Sequence, residues 1–185
     1  GTPDSIRRWA AENFSALRSQ ALPPQQAQCV DRLQAWTDAQ FARRAPLFEA
    51  RRRAGFVREC HGDLHLGNIV LLDHTPVLFD CIEFNDRFRY SDTIADIAFL
   101  AMDLDLHGRR DLSETLIDAY VRFSGDKGVR DLVNFYKVYR AYVRGKVTSF
   151  RLDSSDAISK EEKDEAQQDA QKYFALAASY VDKET

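Results

Sequence analysis

The sequence has few cysteines, no long hydrophobic run and no signal-peptide pattern. Its three cysteines are widely spaced and form no C-x-x-C pair, which argues against a disulfide framework or a zinc site. No stretch approaches the ~18 consecutive apolar residues that a membrane-spanning helix needs. These absences favour a cytoplasmic protein with reduced thiols and without a membrane partner.

Basic residues are not in excess, and glycine is scarce in the first part of the chain. The 26 basic and 29 acidic side chains give a formal net charge of −3, which argues against a nucleic-acid partner bound through phosphate neutralisation. No glycine occurs between Gly1 and Gly55, and the pattern there is helical. A P-loop is also missing, because Gly145 and Lys146 lack the upstream glycine and the following hydroxyl residue of that motif.

The chain does contain enough apolar sequence for a compact core, arranged mostly with helical spacing. Hydrophobic residues make up 44% of its 185 residues and charged residues 30%. Short apolar runs on either side of the turn at 73–76 predict a β-hairpin. The predicted helices cover about 5–17, 25–55 with a restart at Pro46, 91–106, 112–123, 132–150 and 166–181, and the predicted strands cover 56–58, 69–72 and 77–79. We therefore expect a mainly α fold with a few short β-strands.

Polar residues in the middle of the chain indicate phosphoryl transfer. The segment His61–Asn68 reads H-x-D-L-x-x-x-N and is followed by the hairpin and by Asp80. In this pattern Asp63 would accept the proton of an attacking hydroxyl, while Asn68 and Asp80 offer oxygen ligands to Mg²⁺. His61 would pack and hydrogen-bond to backbone, which would hold the loop in place. The spacing therefore predicts a kinase-type catalytic loop followed by its metal-binding aspartate.

Two other chemistries are compatible with residues near this loop. His61, Asp63 and His65 alternate as H-x-D-x-H, which could place three metal ligands on one strand face of a hydrolase. The glycines in the motif make a rigid strand unfavourable. Cys60 beside His61 could act as a nucleophile, but adjacent residues in an extended segment point to opposite faces. Phosphoryl transfer is the favoured interpretation, and these two remain as alternatives.

The segment His61–Asn68 resembles the signature of the aminoglycoside phosphotransferase and choline kinase families, which are small-molecule kinases with a protein-kinase-like fold. The resemblance continues through Asp80 and into the helix that follows. It implies that Asp63 is the catalytic base and that Asn68 and Asp80 bind Mg²⁺. It also implies that Asp96 is a structural carboxylate bonded to the catalytic loop.

Residues 79–90 resemble an uncharacterised bacterial branch of this superfamily that is often fused to a P-loop kinase-like domain. In this segment Glu83 adds a second carboxylate that could reach the metal, although a surface or capping role explains it equally well. Further candidates for contact with phosphate or substrate are His65, Lys137, Arg140 and Arg144. The last three form a basic stripe at helical spacing, for which a solvated helix flank is the alternative interpretation.

The resemblance implies an ATP- and Mg²⁺-dependent phosphotransferase that moves the γ-phosphate to a hydroxyl group of a small molecule. Such a kinase also needs a glycine-rich sheet with a strand lysine, and nothing before residue 56 fits that pattern. We therefore expect the helical C-terminal lobe alone at 1–152, with a polar connection and a closing helix of the same domain at 153–185.

The missing N-terminal lobe, and a P-loop domain, would then belong to the full-length protein. We expect the chain by itself to be inactive, because nothing in it would clamp the nucleotide. The alternative function is that of a non-catalytic scaffold, or of a binding module for a partner domain.

Overall fold

The computed structural model of the chain describes residues 2–20, 22–153 and 159–184. Seven helices account for most of these residues, and the four strands are short, which confirms the predicted mainly α fold. The helices are α1 (Pro3–Arg18), α2 (Pro24–Arg53), α3 (Asp86–Arg89), α4 (Thr93–Leu106), α5 (Arg110–Ser124), α6 (Val129–Asp153) and α7 (Lys160–Asp182). The strands are β1 (Val57–Glu59), β2 (Ile69–Leu72), β3 (Thr75–Leu78) and β4 (Tyr90–Asp92).

The chain divides into two compact units. The first contains Arg44–Lys137 together with the N-terminal residues, and the second contains Asp4–Arg43 and Val138–Thr185. The predicted domain boundary after residue 152 stays a prediction, and the predicted polar connection falls partly on residues 154–158, outside the described part. Within that part, no helix is both long enough and apolar enough to cross a membrane.

The core of the second unit is built from the apolar faces of its helices. In α1 the buried side chains are Ile6, Ala10, Phe14 and Leu17, which follow the spacing expected of an amphipathic helix. The rings of Phe14 and Tyr142 stack with their centroids 4.4 Å apart, and burial raises the pKa of Tyr142 well above its ordinary value. Gly145 of α6 lies against α7, since a Cβ there would approach the Phe174 ring to 3.0 Å.

Helix α2 differs from the prediction because it continues through Pro46 instead of restarting there. A proline inside a helix removes one backbone hydrogen bond and strains the preceding turn. Tertiary packing outweighs that local cost, since Phe48 is buried against the rings of Phe135 and Tyr136 at centroid distances of 5.1 and 6.1 Å.

In the first unit, two small antiparallel strand pairs precede α4 in the chain. Strand β1 pairs with β4, with Val57 opposite Asp92 and Glu59 opposite Tyr90. Strand β2 pairs with β3 in a hairpin that brings Ile69 opposite Leu78. Helix α4 follows β4 directly, is apolar on nearly all sides and is largely buried.

A buried ionic network lies at the C-terminal end of α2. The guanidinium of Arg51 donates to Asp92 at 2.7 and 2.9 Å and to Asp126 at 2.8 and 2.7 Å. Burial alone would lower the pKa of Arg51, but the hydrogen bonds to Asp126 and Asp92 outweigh it and raise that pKa. By contrast, Arg52 and Arg53 in the same last turn of α2 are exposed and pair with Glu49.

Candidate functional site

The first half of the loop His61–Asn68 is held by one carboxylate of α4. Asp96 accepts the backbone N–H of His61 at 2.7 Å and that of Gly62 at 3.1 Å. Gly62 has a φ of +83°, and a Cβ there would lie 3.0 Å from the Phe88 carbonyl oxygen. Only glycine fits this backbone conformation and this close approach without strain. The structure thus places Asp96 against the loop backbone, as the resemblance to the small-molecule kinases implies.

The second half of the loop brings the predicted base together with two polar neighbours. The Asn68 side-chain NH₂ donates to the Asp63 carbonyl oxygen at 3.0 Å and lies 3.4 Å from Asp63 Oδ2. His65 Nε2 lies 3.4 Å from the same Oδ2. Because His65 Nδ1 accepts the Gly67 N–H at 3.1 Å, the hydrogen-bond pattern assigns the ring proton to Nε2, facing the carboxylate. The Asn68 amide and the His65 ring therefore both lie beside the Asp63 carboxylate.

His61 joins this loop to the predicted metal segment. Its Nε2 lies 2.9 Å from the Phe79 carbonyl oxygen, and its own carbonyl accepts the Ile82 N–H at 2.9 Å. The Phe79 N–H in turn donates to the Asn68 carbonyl at 3.1 Å, so the hairpin returns the chain to the end of the loop. Asp80 follows immediately, with a φ of +59° that an L-aspartate adopts only at some cost.

The donor set at this place fits a magnesium ion. Among the residues that the structure describes, no hydrogen bond reaches Asn68 Oδ1 or the Asp80 carboxylate. Mg²⁺ is typically bound through one or two protein oxygens, with water and substrate phosphates completing the octahedron. Glu83 is exposed, and its nearest recorded partner is the Cys81 thiol at 3.7 Å, so its carboxylate remains accessible.

The alternative chemistries find less support in this geometry. The described residues contain no cluster of three His, Cys, Asp or Glu side chains placed to hold a metal, and the ring nitrogens of His61 and His65 have internal partners. Burial raises the pKa of the Cys60 thiol, which donates to the Ser91 carbonyl. A thiol that resists ionisation is a poor nucleophile, so neither the hydrolase site nor cysteine catalysis matches the structure.

The predicted basic stripe is not uniform. Lys137 is buried in the first unit, where its ammonium lies 2.9 Å from both Asp105 and Ser113. An ammonium committed to these internal partners is not presented to a phosphate. Arg140 and Arg144 belong to the second unit, where the Arg144 guanidinium lies 5.7 Å from the Tyr173 ring centroid. Their contact with phosphate or substrate stays a prediction.

One further loop contact was not predicted from the sequence. Asp103 of α4 accepts the backbone N–H of Leu66 at 2.8 Å and is 6% exposed. A signal was present, since an acidic residue in so apolar a helix is expected to have a specific partner. The sequence alone could not say which backbone group that partner would be.

Comparisons with known proteins agree with this geometry. The model of the phosphotransferase enzyme family matches residues 1–136. Uncharacterised proteins of Mycobacterium bovis and of two Mycobacterium tuberculosis strains are 37% identical to the chain over 175 residues, which is 95% of this chain. The chain spans 34% of the length of these relatives. No solved structure matches it. The family match and the relatives together confirm the resemblance drawn from the loop, and the chain belongs to the phosphotransferase enzyme family.

Proposed function

We propose that the protein containing this chain transfers the γ-phosphate of ATP, in the presence of Mg²⁺, to a hydroxyl group of a small molecule. The observation that supports this most directly is the convergence of Asp63, Asn68 and the segment leading to Asp80 around one loop. Phosphoryl transfer passes through a loose transition state, so that positioning and charge neutralisation provide most of the catalysis.

Asp63 is the proposed general base. The side-chain amide of Asn68 donates to its carboxylate, the His65 ring lies beside it, and the Asp63 side chain is about a third exposed. A carboxylate that is both oriented and open to solvent can accept the proton of an incoming hydroxyl group. In this proposal His65 orients Asp63 directly.

Asn68 and Asp80 are the proposed metal ligands, with Glu83 as a third candidate. When bound, Mg²⁺ would neutralise the charge on the phosphate oxygens. The chain itself contributes the positions of these oxygens, because the Phe79 N–H bond to Asn68 and the His61 bond to Phe79 tie the two segments together. The predicted cytoplasmic location remains part of this proposal and rests on the cysteine content.

The second candidate function is a binding module without catalysis. The observation that favours it is the exposure of large apolar side chains next to the site, such as Leu71 at 68% and Phe84 at 87%. Calorimetric titration of the protein at full natural length with ATP, with and without Mg²⁺, distinguishes the two functions. Metal-dependent nucleotide binding supports the kinase, and its absence supports the binding module.

Asp63→Asn provides the direct test of the kinase. This change preserves shape and removes the basic oxygen, so we expect the rate of ADP release with a panel of small alcohols to fall by about 10²- to 10⁴-fold. Asp73→Asn is the matched control, because Asp73 is an exposed carboxylate in the hairpin turn with a φ of +48°, which asparagine tolerates. An unchanged rate in Asp63→Asn would exclude the assignment.

The 185-residue chain assayed alone should release little or no ADP. Normal kinase turnover by this chain would contradict the expectation that a further nucleotide-clamping segment is needed.

A further inference from the structure

We infer that Asp103 is a second positioning residue, which holds the half of the catalytic loop that carries Asn68. Its effect on phosphoryl transfer rests on the proposed function. Its effect on the loop itself does not, because that effect is a property of the folded chain.

Asp103 contacts the loop at Leu66, the first residue of a short helical turn. Leu66–Asn68 form a single 3₁₀ turn, with His65 as the N-cap and with Asn68 N–H donating to the His65 carbonyl at 3.0 Å. The first N–H groups of any helical turn have no partner inside the turn. Here Asp103 Oδ2 accepts the N–H of Leu66 at 2.8 Å, and a hydrogen bond to a charged acceptor is among the stronger ones.

Asp96 and Asp103 bind different parts of the loop backbone. They are seven residues apart, which is close to two turns, so they lie on the same face of α4. Asp96 binds the N–H groups of His61 and Gly62, and Asp103 binds that of Leu66. Both carboxylates are nearly buried, at 7% and 6% exposure. One rigid helix therefore fixes the loop at two points.

Other contacts along α4 support this arrangement. Phe99 lies between Asp96 and Asp103 in the sequence. Its ring packs against the ring of His65, with the two centroids 5.5 Å apart. The second oxygen of Asp103 lies 3.8 Å from His107 Nδ1, and that ring nitrogen also lies 2.8 Å from the Asp103 carbonyl. Asp103 thus has a defined orientation rather than a free rotamer.

The consequence concerns the geometry between the base and the metal ligand. Asn68 is two residues beyond Leu66 in the same turn, and its amide bonds back to the Asp63 carbonyl. If the Leu66 N–H loses its acceptor, the turn can shift while Asp96 still holds the start of the loop. The oxygen of Asn68 would then move relative to Asp63, and displacements of this kind impair catalysis strongly.

Hydrogen–deuterium exchange of the 185-residue chain tests the loop directly. In Asp103→Ala, exchange of peptides covering 64–68 should rise about tenfold, the effect of losing a bond worth roughly 1.4 kcal/mol. Peptides covering β1 should be unchanged. Asp103→Asn retains an acceptor oxygen and should exchange close to the wild-type rate. Wild-type exchange at 64–68 in Asp103→Ala would overturn the inference.

Leu66→Pro provides an independent variant that removes the donor instead of the acceptor. Proline is accepted at the first position of a helical turn, and His65 has φ −137° and ψ 170°, the extended conformation that a residue before proline requires. In the double variant Leu66→Pro/Asp103→Ala, exchange at 67–68 should equal that of the more affected single variant. Additive effects would show that the two residues do not act through one bond.

The activity readout separates this inference from the proposed function. In the protein at full natural length, Asp103→Ala should lower kcat about tenfold and raise the Mg²⁺ concentration needed for half-maximal rate, leaving the KM for the alcohol unchanged. Asp103→Asn should recover most of the rate. If the wild-type protein transfers no phosphate, the proposed function fails, but the exchange result still decides whether Asp103 holds the loop. An unchanged kcat in Asp103→Ala of an active enzyme would overturn the inference.

Discussion

The catalytic loop and the hairpin segment that follows it are neighbours in the same unit, but they are supported very differently. In the loop, Gly62, Leu64 and Asn68 are buried, and its backbone N–H groups are bonded to two carboxylates of α4. In the hairpin segment, every residue from 70 to 81 is exposed. The loop takes its position from a buried helix, whereas the hairpin takes its position from its own ladder and from the hydrogen bonds at Phe79.

This difference shows that Asp63, the proposed base, and Asp80, one of the proposed metal ligands, are held in place by different parts of the structure. Asp63, the proposed base, lies beside Asn68 and His65 of the same loop. Asp80 is placed by a two-stranded hairpin, and isolated hairpins of that size are only marginally stable in water. We therefore expect substitutions beneath the loop to affect folding strongly, and substitutions in the hairpin to affect it little.

The largest effect is expected where α4 itself is anchored. Arg51→Met leaves the carboxylates of Asp92 and Asp126 buried without a counter-charge, and Asp92 also caps α4 by accepting the Ile94 N–H at 3.0 Å. We expect the free energy of unfolding to fall by about 3–5 kcal/mol, measured by urea denaturation. The control is Arg53→Met, because Arg53 is exposed and pairs with Glu49 at the surface, and its effect should stay within about 0.5 kcal/mol.

Equal stability of the Arg51 and Arg53 variants would mean that the buried network does not support the loop side of the unit. A smaller m-value in Arg51→Met alone would instead indicate partial unfolding of the native state.

A matched pair of leucines compares the two regions directly. Leu64 in the loop is 7% exposed and Leu71 in the hairpin is 68% exposed. Leu64→Ala removes buried methyl groups and should cost about 2–5 kcal/mol of stability, whereas Leu71→Ala should change it by less than about 0.5 kcal/mol. Thermal and urea unfolding of both variants provide the measurement. If Leu71→Ala lowered the free energy of unfolding as much as Leu64→Ala, the hairpin would be as firmly packed as the loop, contrary to this prediction.

The smallest expected effect is a difference in alkylation rate between Cys60 and Cys81, the two cysteines that flank the site. Burial raises the pKa of the Cys60 thiol, and Cys81 is exposed on the hairpin side. Because only the thiolate reacts, and a raised pKa keeps the thiol protonated to higher pH, Cys60 should be alkylated by iodoacetamide at least about tenfold more slowly than Cys81 at pH 8. The rate at Cys60 should keep rising at higher pH.

Peptide mass spectrometry after timed quenching measures both rates in one sample. In urea the two rates should converge, which is the control for intrinsic reactivity. If Cys60 were alkylated faster than Cys81 in the folded chain, the thiol beside the loop would be more accessible than the thiol beside the hairpin, contrary to the prediction.

Much of the fold and part of the site could be predicted from the sequence because the signals are local. Helical spacing predicted α1 and α7, and two short apolar runs on either side of a turn predicted the hairpin that pairs Ile69 with Leu78. The continuity of α2 through Pro46 was missed, since the local preference for a break there is outweighed by packing around Phe48.

Contacts between distant residues were beyond the sequence patterns. Arg51 meets Asp92 and Asp126 across separations of 41 and 75 residues, and the arginine run around it looks like an ordinary helix end. Lys137 was grouped with a surface stripe by its spacing, although its partners Asp105 and Ser113 lie on another part of the chain. Helical periodicity assigns a residue to a face, but it does not say what that face meets.

By itself, the sequence determined the family of this chain, because the order and spacing of the residues from His61 to Asn68 and on to Asp80 carry the phosphotransferase signature. Only the tertiary structure decided how that signature is held. Asp96 and Asp103 reach different N–H groups of the loop, and His65 faces Asp63, because a helix 30 to 40 residues further along packs beneath it. Hydrogen bonds to buried carboxylates depend on distances between segments, and no local pattern contains those distances.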